Sequence, residues 1–188
     1  MFLLRRPTPA AVQAFLHAQR RSGLTYPEVG GTRGGPLPAG YAHDRHRALL
    51  GHGADCYARA RDALNSWQMF RTGWITLCTP DAAFREGETL VVQVAHLGFW
   101  SLIADRVVYT VDEERVCAFG YGTLDGHAEQ GEERFTVRFA PGGEVWFELL
   151  AFSRPRHPLA RLGGPVVRAL QRRAARSYTA AMRRAVNG

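Results

Sequence analysis

The feature that most constrains this chain is a succession of short segments in which apolar residues alternate with others, separated only by turns. Leu90, Val92 and Val94, then Val107, Tyr109 and Val111, then Phe135, Val137 and Phe139, then Val145, Phe147 and Leu149 each read at period two. That is the repeat of a strand with one buried face. The separators are Asp112-Glu113-Glu114, the stretch from Gly122 to Gly131, and Pro141-Gly142-Gly143, each short enough to join antiparallel neighbours. No helix-sized segment falls between Leu90 and Phe152, which excludes βαβ units and a nucleotide-binding parallel sheet. An antiparallel meander of about six to seven strands is expected.

Helical spacing brackets this sheet. Thr8 as N-cap, Pro9 at the first helical position, the apolar Val12, Phe15 and Leu16 and a stop at Gly23 predict an N-terminal helix over 8–22. Residues 24–40, with GGTRGGPLPAG at their centre, read as an ordered Gly/Pro-rich loop. A short strand is expected from Tyr41 to Leu50, then a helix capped by Asp55 in which Tyr57, Ala60, Leu64 and Trp67 share a face. A long helix over 156–186 carries Leu162, Val166, Leu170, Ala174, Tyr178 and Met182 on one stripe and Arg161, Arg168, Arg172 and Arg176 on another, interrupted at Gly163, Gly164 and Pro165. The expected fold is α+β: one domain over 1–188, with helix and antiparallel sheet over 41–153 covered by the C-terminal helix.

Composition excludes several chemistries. All 24 basic residues are Arg, so Schiff-base formation, a Walker A lysine and SxxK acylation are ruled out. The segment up to Leu150 balances at −2, whereas the remainder carries 9 Arg and no acid. Counter-charges for that helix are expected from Glu86, Glu113, Glu132 and Glu133, leaving exposed pairs of little energetic weight. Cys56, Cys78 and Cys117 suit neither a disulfide framework nor a CxxC metal site, and MFLLRR is too short an apolar run for a signal peptide. A cytoplasmic protein is expected.

Several groups invite functional readings. GYGTLDG has the wrong spacing for a dinucleotide loop and leads into a strand. His43, His46 and His52 with Asp44 resemble metal ligands in type, yet on a strand His43 and His46 point to opposite faces, so no metal and no cofactor is assigned. His127, Glu129, Glu132 and Glu133 form the strongest acid/base candidate, if burial shifts their pKa values. Glu148 lies between Trp146 and Leu150 and is expected to face inward with them, where its charge would need a partner. Trp67, Trp74, Trp100 and Trp146, with Tyr109 and Tyr121, supply aromatics for a core or for a cavity beneath the final helix.

The runs FGYGTLDGHAEQGEERF (119–135), LTYPEVGGT (24–32), PAGY ending at Tyr41, LNSWQMFRTGW (64–74) and AFSRP (151–155) resemble uncharacterised protein family 0548, a domain of unknown function in bacteria and plants. The resemblance covers nearly the whole chain and carries over no activity. It implies that Tyr26, Glu28, Thr32, Tyr41, Trp67, Trp74, Tyr121, Thr123, His127, Glu129, Glu132, Glu133, Ser153 and Arg154 include a convergent set. The element order also resembles the helix-grip fold of START-like and polyketide-cyclase-like proteins, which implies an apolar or amphipathic ligand between sheet and helix. A small-molecule-binding protein is the first expectation. A small enzyme using the His/Glu cluster comes second, and an adaptor for an anionic membrane surface or nucleic acid third.

Overall fold

A computed structural model of the chain describes residues 1–96, 98–156 and 164–188. Its elements are strand β1 (Phe2–Leu3), helix α1 (Pro9–Gln19), strand β2 (Ala42–His52), helix α2 (Ala54–Asn65), a 3-10 turn (Gln68–Phe70), strands β3 (Ile75–Leu77), β4 (Thr89–Ala95), β5 (Trp100–Glu113), β6 (Val116–Thr123), β7 (Glu129–Phe139) and β8 (Glu144–Pro155), and helix α3 (Gly164–Asn187). All strand pairs are antiparallel. The sheet runs β2-β8-β7-β6-β5-β4-β3, with β1 added beside β5. From β3 to β8 it is the expected meander. β2 departs from that order, because it crosses to the far edge and pairs with β8 along its whole length rather than forming a short strand.

Each sheet face has its own cover. On the inner face, α2 and α3 close over a core that includes Leu64, Phe70, Val107, Phe119, Phe135, Phe147, Tyr178 and Met182. On the outer face, Val12 and Leu16 of α1 pack against Val91, Leu102, Ala104 and Leu124. Thr8 caps α1, its Oγ1 accepting from the Ala11 amide at 3.2 Å. The helix ends at Gln19, short of Gly23.

Four sequence expectations are corrected. Gly53, not Asp55, is the N-cap of α2, and Trp67 is not on that helix: the chain leaves it after Asn65 and Trp67 takes a left-handed φ of 57° leading into the 3-10 turn. Tyr109 does not share a face with Val107, because a bulge separates them and pairs Tyr109 with Gly120. Glu148 faces away from Phe147 and Leu149 and is paired with Arg47 at 3.1 Å and Arg138 at 3.2 Å; strand alternation sends it out with Trp146, over which Arg47 lies at 3.8 Å. Gly164 and Pro165 belong to the first turn of α3, where a missing N–H costs nothing, while Arg161, Leu162 and Gly163 lie outside the described residues.

The arginine stripe also finds partners other than those expected. Arg168 pairs with Asp44 at 2.7 Å, and Arg183 and Arg184 donate to the carbonyls of Leu49 and Arg71. Among the described residues, none of Glu86, Glu113, Glu132 and Glu133 forms an ion pair with α3. Arg172, Arg173 and Arg176 are exposed, and Arg173 stands over the Trp74 ring at 4.2 Å.

One carboxylate gathers four donors of the Gly/Pro-rich loop on the outer face, beside the Leu24–Leu124 bridge and the Arg134 bond to the Arg33 carbonyl. Glu132 is 3% exposed and accepts from Tyr26 Oη at 2.7 Å, the Gly30 amide at 2.7 Å, the Thr32 amide at 2.8 Å and the Thr32 hydroxyl at 2.5 Å. Tyr109 Oη donates in turn to Thr32 Oγ1 at 2.7 Å. The glycines of GYGTLDG make this possible. A Cβ at Gly120 would collide with the Tyr109 ring and one at Gly122 with the Tyr26 ring and hydroxyl, so the bare backbone is what lets both rings lie on the sheet. Replacing Glu132 by Ala strips an acceptor from four donors at once. The expected result in urea denaturation is a loss of about 3 kcal/mol or more, with faster amide exchange at Gly30 and Thr32.

Candidate functional site: the cavity between sheet and final helix

Between the inner sheet face and α3 the side chains leave a cavity of about 760 Å3. Val94 and Ile103 form its apolar wall on the sheet, and Val167, Leu170, Ala174 and Tyr178 its wall on α3. Its mouth is rimmed by Phe2, Leu4, Phe99 and Val166, all of them exposed. Register sets the polar floor: Val107, Tyr121, Glu133, Ala151 and Asp44 stand side by side across β5, β6, β7, β8 and β2, and Asp105 is opposite Thr123 one step along.

Electrostatics on this floor are set by burial. Desolvation pushes the Asp105 carboxyl well above the usual carboxylate range, with the Glu133 charge adding to it. Burial pushes Glu133 up to about 7; the hydrogen bond from Tyr121 Oη at 2.6 Å opposes this, and Asp44 reinforces it. Burial also raises Glu129, against the pull of the Ser153 hydroxyl and Arg168. His127 moves the other way, down to about 4, because burial and the nearby N-terminal ammonium disfavour its charged form. Its Nδ1 accepts from the Glu129 amide at 3.0 Å. His96, held through Nε2 to Ser101 Oγ at 2.9 Å, is likewise lowered by burial.

The residues singled out in the sequence divide between the two faces. Trp74, Tyr121, Thr123, His127, Glu129, Glu133 and Ser153 line the cavity, with Trp74 Nε1 donating to Ser177 Oγ at 3.0 Å. Tyr26, Thr32 and Glu132 form the outer clamp. Glu28 accepts from Tyr41 Oη at 2.6 Å and Arg154 stacks over Tyr41 at 4.5 Å, so these three also belong to the outer face. Trp67 is a core residue, its ring edge-on to Phe119 at 4.9 Å and its Nε1 donating to the Ala82 carbonyl. Trp146 is on the outer face under Arg47. The glutamates that look like one cluster in sequence are therefore not one group: Glu132 faces out, and Glu129 and Glu133 face in. His43 and His46 fall on opposite faces of β2, His46 toward the cavity and His43 bonded to the Pro38 carbonyl.

Sequence reading missed Asp105, His96, Tyr178 and the Asp44–Arg168 pair. Asp105 carried a signal. It shares parity with Ile103 and Val107, so it is an acid at an inward position of a strand, once β5 is known to begin at Trp100.

A meander gripping one long helix, with a cavity between them, defines a helix-grip protein. Two solved structures share the fold at low identity: hypothetical protein jhp0584 from Helicobacter pylori (TM-score 0.57, 7% identity, 85% of this chain and 94% of that one) and the di-domain ARO/CYC StfQ from the steffimycin biosynthetic pathway (TM-score 0.51, 11% identity, 78% and 49%). Residues 25–181 match the family described as Domain of unknown function (DUF1990), and the chain is 43% identical over 196 residues to a UPF0548 protein of Deinococcus radiodurans, covering 98% of each. The chain belongs to this family.

A raised carboxyl favours folding while it is protonated, so the contribution of Glu133 is complete below its ordinary 4.5 and is lost as pH rises through about 7. Wild type should lose thermal stability relative to Glu133→Gln between about pH 5 and about pH 8. Parallel melting curves at the two pH values would contradict the burial of this carboxyl.

Proposed function

We propose that this protein binds a small apolar or amphipathic molecule in the cavity beneath α3. The observation that carries the reading is the cavity itself. It has the size of a ligand site, a mostly apolar wall and a few convergent polar groups. The fold it shares with StfQ, an ARO/CYC protein, supports a ligand space in this position by analogy of fold. A cytoplasmic location fits three cysteines that are all free. Among the described residues, no helix is long and apolar enough to cross a membrane.

An enzyme is the second reading, favoured by one observation: Glu133 titrates near neutrality against Tyr121 on the cavity floor, which suits a group that accepts and returns a proton. In that reading Glu133 is the acid/base and Tyr121 orients it. His127, held neutral with Nδ1 accepting from the Glu129 amide, carries its proton on Nε2 and serves as a donor.

Native mass spectrometry of the purified chain should reveal a co-purifying small molecule. Ala174→Phe, which fills the cavity from the helix side, should weaken binding of an apolar fluorescent dye by roughly tenfold or more while the far-ultraviolet spectrum stays native. Unchanged dye affinity in a folded Ala174→Phe variant would remove the cavity as the binding site.

A further inference from the structure

The cavity wall is acidic in a chain whose net charge is +7. Asp105, Glu129 and Glu133 all line it, and no arginine does among the described residues. Asp105 is 2% exposed and Glu129 9%, and each keeps one oxygen, Oδ1 and Oε1 respectively, without a hydrogen-bond partner among the described residues. Glu133 accepts one hydrogen bond, from Tyr121. Of the two other acids at the cavity, Asp44 is already paired with Arg168 at 2.7 Å and Glu132 turns its carboxylate to the loop donors of the outer face.

The other groups at the cavity supply little compensating charge. Burial disfavours the charged forms of His96 and His127, and the Met1 amino group donates to the carbonyls of Leu102 and Gly126. Buried acceptors without donors are costly. A ligand carboxylate would add a further negative charge to an acidic wall. An ammonium brings three donors, no acceptor and the opposite charge. The rings of Tyr121 and Tyr178 also line the cavity, and aromatic rings attract a cation as well.

We propose, building on the cavity reading above, that the ligand is an organic cation: an ammonium head directed to Asp105, Glu129 and Glu133, with an apolar body along Ile103, Leu170 and Ala174.

The test compares octylammonium, 1-octanol and octanoate by calorimetric titration of the full chain at about pH 8, where Glu133 is ionised. Octylammonium should bind roughly tenfold tighter than octanol, and octanoate weakest. Glu133→Gln combined with Asp105→Asn, which leaves only Glu129 of the three acids, should lower octylammonium severalfold toward the affinity of octanol and leave octanol unchanged. If the double variant does not fold, Glu133→Gln alone must already lower the ammonium-to-alcohol ratio. Octanol or octanoate binding as tightly as octylammonium, or an ammonium preference that survives these substitutions undiminished, overturns the cation proposal and leaves the cavity reading standing. No binding by any of the three overturns both.

Discussion

A carboxylate taken out of water must recover its hydration from fixed donors, and Glu132 recovers it from four, all on the loop that precedes β2. That loop is also tied down through Leu24 and through Tyr26 against Phe152, and Glu132 joins its Tyr26 end to its Thr32 segment. Adjacent Glu133 has the opposite fate. The period of two along β7 turns it to the inner face, where it has a single phenolic donor and a cavity in front of it. One carboxylate is satisfied and structural. The other is under-satisfied, titrates near neutrality and is reachable from the cavity.

The charge distribution follows the same division. Arginine occupies exposed positions and capping contacts on α3, while Asp105, Glu129 and Glu133 lie on the inner floor. Arg168 and Asp44 meet where the two regimes touch, tying α3 to edge strand β2. α3 is therefore both the roof of the cavity and one end of that ion pair.

Much of the fold was legible because strand alternation and turn residues are local signals: the meander, its turns and the final helix follow from spacing alone. The partner of β2 was not legible, since pairing with β8 joins residues about a hundred positions apart with nothing in either strand to announce it. The bulge that turns Tyr109 outward likewise leaves no mark in an apolar run. For the site, the motif residues were identified as a set but not sorted by face. Sorting them needs the parity of β7 and β8 relative to the core, and only Phe135 and Phe147 in the packed structure fix that. Asp105 was overlooked because its strand was read as starting too late.

The central claim is that the inner face holds a real, ligand-accessible space, whereas the outer polar motif is closed and structural. Xenon dissolved under pressure reports directly on such space through methyl chemical shifts. Shifts are expected at Val94, Ile103, Val167 and Leu170, with Val12, Leu16 and Leu102 on the outer face unmoved. Shifts confined to the outer cluster, or none at the inner methyls, would contradict it.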